Sequence, residues 1–291
     1  MRQHVLAAAL LLAAASPAAA YTSYLKPDQF WPTDSDVQVE GSFATTFFTP
    51  QIAIGGDVTG VTPSGGAVDV GLPEQTPQST TVTVDLAERG TYRFTTGPVY
   101  GQIGQFYRVE GGQPQVLRDG EAPPEGAETG TVQTVSVADA YVTRGEATRT
   151  VIDAINDRLT VRPVTHPNQV IVANGIQVDV LFDGAPLANV AIVMYAAGEP
   201  ETKLDRYVVT DAAGRASFTL DAPGQYIIAA RHRAPAPPGS EATEHSYRTT
   251  LTFEAYAEQP TVVVEEQAEE PQQPAARPRT PARRRVGRPD Y

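Results

Sequence analysis

Between residues 168 and 254, apolar side chains recur at alternate positions in short runs, and each run stops at a turn of Gly, Asp or Pro. Ile176, Val178, Val180 and Phe182 alternate with Gln177 and Asp179, then stop at Asp183-Gly184. A second run spans Val190 to Tyr195. A third, Ala216-Phe218-Leu220, lies between Thr210-Asp211-Ala212-Ala213-Gly214 and Pro223-Gly224. A fourth, Tyr226-Ile228-Ala230, ends at Arg231-His232. A period of two sends one set of side chains into a core and leaves the other in water. Short strands at this spacing, separated by such turns, predict an all-β sandwich.

The first half carries a weaker version of the same pattern. Strands are expected at 37–39, 51–54, 81–86, 91–95 and 105–109, the last followed by the hairpin signal Gly111-Gly112. Residues 55–80 and 118–130 read as long surface loops, and 149–158 as a short helix or a strand. Val84 to Tyr92 lines up with Phe218 to Tyr226: strand, Leu, turn, Gly, one residue, Tyr. Gly takes a positive φ in such a turn, and the Tyr two residues on is expected to satisfy its hydroxyl at the sandwich edge. The expected fold is all-β: two tandem antiparallel β-sandwiches, immunoglobulin- or transthyretin-like, over residues 21–160 and 161–256.

The ends of the chain differ from this body. Arg2, the apolar stretch Val5–Ala15 and the small residues Ala18-Ala19-Ala20 form a secretory signal over 1–20, with cleavage expected before Tyr21. No later segment approaches a membrane-spanning run, so a soluble periplasmic protein is expected. The chain has no cysteine, which removes disulfides, thiolate ligands and a lipoprotein anchor together. Within residues 257–291, Glu265, Glu266, Glu269 and Glu270 come first, and Pro271, Pro274, Pro278 and Pro281 follow, interleaved with six arginines. So few apolar groups cannot offset ordering entropy, so this tail is expected to be disordered and free to touch an anionic envelope surface.

Cleavage leaves 21 Arg plus Lys against 34 Asp plus Glu, a net charge of −13. Such an acidic body argues against a nucleic-acid partner. No G-x-S-x-G, H-E-x-x-H or P-loop motif is present, so no catalytic residue is assigned and an enzyme is not expected. Trp31, Phe47, Phe48, Tyr100, Phe106 and Tyr107 are read as packing residues, with a sugar-stacking platform as the alternative. Asp211 reads as a turn residue in preference to a calcium ligand. Three histidines survive cleavage. His166, held extended before Pro167, reads as a junction residue. His232 and His245 flank one loop. If that loop closes a hairpin, the two imidazoles face each other across strands, and with Glu244 they would suit zinc, nickel or copper. Arg231 and Arg233, on either side of His232, oppose a cation there.

Pieces spread along the chain resemble those of an exported bacterial family, domain of unknown function 4198. They are Tyr24-Leu25-Lys26-Pro27, Ala140 to Gly145, Leu159 to Pro163 with His166-Pro167, Phe182 to Leu187, Thr210 to Gly214, Pro223 to Tyr226, and His245 to Phe253. The second half is also similar to transthyretin-like and Cna-B-type sandwiches. The resemblance implies a periplasmic binding or delivery protein linked to transition-metal uptake. A divalent nickel, cobalt or zinc ion would be its cargo, and an outer- or inner-membrane transport component its partner. Tyr21-Thr22 stand where the family commonly places His and an acidic residue, so this chain lacks that N-terminal imidazole. A structural or interaction module of the envelope, without metal, is the alternative function.

Overall fold

The structure, a computed structural model, describes residues 21–155 and 157–260. The expected signal segment and the tail from residue 261 onward lie outside the described residues. The strands of the first half are β1 (Thr22–Pro27), β2 (Asp36–Ala44), β3 (Ile52–Ala53), β4 (Thr59–Val61), β5 (Glu74–Gln75), β6 (Thr80–Asp85), β7 (Gly90–Thr95), β8 (Val99–Arg108), β9 (Gln115–Leu117) and β10 (Glu128–Arg144). Those of the second are β11 (Leu159–Pro163), β12 (Val170–Ile171), β13 (Ile176–Phe182), β14 (Ala185–Pro186), β15 (Ala191–Ala196), β16 (Tyr207–Val209), β17 (Arg215–Phe218), β18 (Gly224–Pro235) and β19 (Glu244–Tyr256). The fold is all-β, with a single 3-10 turn at Val172–Asn174 among the described residues. No helix there is long and apolar enough to cross a membrane.

The expected all-β sandwich architecture with antiparallel sheets is present, and two features are added where the halves meet. The halves share one central sheet, ordered β16-β15-β18-β19-β10-β7-β4. The join between them is parallel: β10 and β19 pair from Val132 opposite Glu244 to Ala140 opposite Thr252. Each is the last strand of its own half, so the halves fuse along their closing strands. An outer sheet of β1, β2, β6 and β5, with β3 beside β2, covers one face; a second, β11-β13-β14 with β17 on β13, covers the other.

Strand alternation divides the core accordingly. Even-numbered Ala138, Ala140 and Val142 of β10 pack with Tyr92 and Phe94 against Leu25, Val39 and Val82. On the same face Ile227 and Ala229 meet Tyr24 and Phe47. Tyr141, Ile228, Leu251 and Phe253 point the other way, onto Val161, Ile176 and Val178. Covered on both sides, β10 is buried without interruption from Val135 to Thr143.

Polar residues fasten the junction of the halves. Arg93 on β7 reaches Asp139 on β10 (2.8 Å) and Asp157 in the connection to β11 (3.2 Å), all three largely out of water. Burial, then the charge of Asp139, raises the Asp157 carboxyl above its ordinary value. Nearby, His166 is buried, with Nε2 3.0 Å from Thr91 Oγ1 and 3.1 Å from the Thr148 carbonyl. Its Nδ1 accepts from the Asn168 amide (3.2 Å), which leaves the proton on Nε2. Asn168 in turn donates to the carbonyls of Phe30 and Tyr141 and accepts from Thr143. His166 therefore occupies the junction, with both ring nitrogens engaged.

The two turns singled out in the sequence match in geometry. Gly90 and Gly224 both lie at positive φ, 131° and 145°. Tyr92 donates its hydroxyl to the Glu88 carbonyl and Tyr226 donates to that of Ala222. Asp211 accepts from the amides of Ala213 and Arg215, as a turn residue should. Residues 149–155 form neither a helix nor a strand: Ile152 and Asp153 both donate to the Arg149 carbonyl, and the turn stops there.

Candidate functional site

The hairpin of β18 and β19 carries the residues of interest at its open end. Period-two alternation puts His232 on one face and its neighbours Arg231 and Arg233 on the other. The register places Tyr247 opposite His232, Ala234 opposite His245 and Pro235 opposite Glu244. The two histidines thus share a face as diagonal neighbours, with Tyr247 between them, and do not sit directly opposite as expected. Glu244 departs further from the expected set. It projects from the reverse face, where Arg233 Nε donates to Oε2 and Arg108 Nη2 lies 3.1 Å from Oε1. Its carboxylate is therefore the partner of two guanidinium groups and does not join the imidazoles. Among the described residues no group of three or more His, Cys, Asp or Glu side chains is arranged to hold a metal ion.

On the histidine face an aromatic row replaces the expected ligand set. The His232 ring meets Phe182 at 4.5 Å, Phe182 meets Tyr247 at 5.3 Å, Tyr247 meets His245 at 5.6 Å, and His245 meets Tyr100 at 6.1 Å. These contacts are edge-on or steeply inclined, as ring quadrupoles favour. Arg158 lies over this row, 4.8 Å from the Phe182 centroid and 5.0 Å from that of Tyr247. Its guanidinium grips Asp183 through two bonds of 2.6 Å and donates a third to the Tyr247 hydroxyl. Asp183 can face it because Asp183-Gly184 turns between β13 and β14 with both residues at positive φ.

Electrostatics follow from this arrangement. Hydrogen bonding to Arg158 holds the Asp183 carboxyl below the usual carboxylate range. Burial, then the charge of Arg158, lowers both His232 and His245 from their ordinary value. Both imidazoles are thus neutral near pH 7. His245 is also tied on both nitrogens, Nε2 to Ser240 Oγ (3.0 Å) and Nδ1 to the Tyr247 hydroxyl (3.2 Å). The Tyr100 end of the row is open: Tyr100 is 59% exposed, and Ile103 beside it on β8 is 39% exposed.

The other aromatics weighed as a platform are scattered. Trp31 donates to the Gly145 carbonyl, Phe47 packs on Tyr195, Phe48 on Tyr24, and Phe106 is buried under Arg233. Tyr100 alone of that set belongs to the row. Arg158 and Tyr247 went unnoticed as functional candidates in the sequence. A signal for them existed in the alternation His245-Ser246-Tyr247, which puts both rings on one face.

No curated protein matches this chain. Two solved structures overlap it loosely. The D0-D1 domain of Intimin is 13% identical, with a TM-score of 0.21, over 79% of this chain and 96% of that one. The D00-D0 domain of Intimin is 11% identical, with a TM-score of 0.20, over 80% and 99%. A family model described as "Domain of unknown function (DUF4198)" matches residues 18–234, about three quarters of the sequence, and the chain belongs to that family.

Proposed function

We propose that this chain is an exported, periplasmic, non-enzymatic module that works by binding at the bacterial envelope. Of the two functions weighed from sequence, the interaction module is favoured over metal delivery. The observation that carries this reading is the Arg158 clamp. Asp183, whose charge acts on His232, is held by two charge-assisted bonds to Arg158. Such a carboxylate is a poor base and a poor metal ligand. The guanidinium over the rings also repels a cation approaching either imidazole. What the row offers instead is Tyr100, 59% exposed and backed by the buried rings of His245 and Tyr247, an aromatic end suited to stacking.

Protein comprising residues 21–291, heated with and without nickel, cobalt or zinc, tests the choice. The module reading expects an unchanged melting temperature with each metal, and retention on isolated cell envelopes that weakens in Tyr100→Ala. A metal-dependent rise that disappears in both His232→Ala and His245→Ala would overturn it in favour of delivery. Recovery from the periplasmic fraction with Tyr21 as the first residue is the expected location.

A further inference from the structure

The reverse face of the same hairpin carries a second, differently built surface. Arg231 and Arg248 stand directly opposite each other across β18 and β19, and Arg233 lies opposite Ser246. In the parallel neighbour β10, Ser136 is level with Arg248 and Thr134 with Ser246. Three guanidinium groups and three hydroxyls therefore share one patch of sheet. Like charges placed directly opposite on a sheet are destabilising, so this pairing needs an offsetting partner.

The protein supplies that partner only in part. Glu201 Oε2 lies 3.6 Å from Arg231 and also accepts from the Thr22 hydroxyl (2.6 Å). Glu244 is engaged by Arg233 and Arg108 together. Arg248 Nε and Arg233 Nη2 are buried with no hydrogen-bond partner. A buried guanidinium N–H without an acceptor costs more than an ordinary unmade bond, because a charged donor is desolvated. Burial, then the neighbouring Arg231, pushes the Arg248 guanidinium down to about 10. Two unmet donors, on side chains one diagonal step apart, lie on the same face of the sheet.

The patch is also reachable. Strand β1 covers this face where Thr250 donates to the Ser23 carbonyl, and its first residue, Thr22, reaches Arg231. Beyond that end of β1 the side chains of Arg231 and Arg233 are 35% and 29% exposed. Phe106, 4.1 Å beneath the Arg233 guanidinium, walls the far side.

We propose that Arg231, Arg233 and Arg248 form a binding site for an oxyanion, a carboxylate or phosphate group carried by an external ligand. The planar forks of arginine match the paired oxygens of both groups, and Ser136, Thr134 and Ser246 add neutral donors at the floor. This site is separate from the aromatic row, and it stands whether or not that row binds anything. Because the chain is acidic overall, with a formal net charge of −12, the selectivity comes from the patch and not from bulk attraction.

Thermal shift and calorimetry on residues 21–291 test this at constant ionic strength, with inorganic phosphate in one arm, glucuronate in a second and chloride as reference. Stabilisation by phosphate alone assigns the site to phosphate, and by glucuronate alone to carboxylate; both outcomes support it. Arg231→Gln and Arg248→Gln should each weaken binding at least about tenfold, whereas Arg215→Gln, on the opposite layer beside Asp179, should leave it unchanged. In chloride, Arg248→Gln should melt no lower than the parent, since it removes an unmet buried charge. No response to either anion, an equal response in the arginine variants, or a clear loss of stability for Arg248→Gln in chloride would overturn the proposal.

Discussion

Tyr226 gives its hydroxyl proton to the carbonyl of Ala222, four residues back across the turn that Gly224 makes (2.7 Å). Tyr92 repeats this with Glu88 across Gly90 (2.8 Å), and its hydroxyl also accepts from the Glu88 amide (2.6 Å). Tyr226→Phe should therefore cost about 1 kcal/mol in urea unfolding. Tyr92→Phe should cost more, because it strands a donor and an acceptor together. Equal losses would mean that the Glu88 amide finds water.

The two turn glycines should differ under the same substitution. A Cβ at Gly224 meets nothing within 4 Å, so Gly224→Ala carries only the strain of its positive φ, about 1 kcal/mol. A Cβ at Gly90 would come within 2.6 Å of Pro63 as well as 3.0 Å of the Thr148 hydroxyl. Gly90→Ala should therefore lower the melting temperature clearly further than Gly224→Ala.

His166 makes stability depend on pH in a defined window. Burial pushes its imidazole down from 6.5 to about 4. Above pH 6.5 the ring is neutral folded or unfolded, and its contribution is complete. As pH falls from 6.5 towards 4, the unfolded chain takes a proton that the folded one refuses, and stability drops by at most roughly 3 kcal/mol. In a denaturation series over that range, His166→Gln should show a shallower pH slope than the parent. Parallel slopes would place the titration elsewhere.

Arg93 pairs with Asp139 and Asp157 inside the molecule, so removing it leaves two buried carboxylates without their cation. Arg93→Met should destabilise by about 3–5 kcal/mol. Removing the charges of Arg93, Asp139 and Asp157 together, with apolar residues of similar volume, should cost markedly less than that single change. A triple variant as unstable as the single one would show that the cluster contributes net attraction.

β17 was legible because it alternates exposed and buried positions. β7 and the Tyr226–Ala230 stretch of β18 are buried on both faces, and they were legible through their turn glycines and their aromatic and β-branched residues. β10 is covered on both faces, so nothing forces a polar residue at every second place, and its Ala, Ser, Thr and Asp read as no pattern. The parallel join was invisible for a further reason: it pairs residues over a hundred positions apart, and local spacing carries no trace of that. At the candidate site, the residue types were legible but the register was not. A shift of two along β19 is what separates an imidazole pair from His232 facing Tyr247. The sorting of Arg231 and Arg233 away from His232 was implicit in the alternation, and it turns neighbours in sequence into occupants of opposite surfaces.

The parallel pairing of β10 with β19 also sets an order of events. Contacts such as that of Thr131 with Thr243, 112 residues apart, cannot form until the second half has been made. Until then the first half holds an open strand edge along β10, a template for pairing with other chains. Long-range closure of this kind is slow. A chain cut before Glu244 would keep that edge permanently, and it would gather into aggregates where the complete chain stays monodisperse.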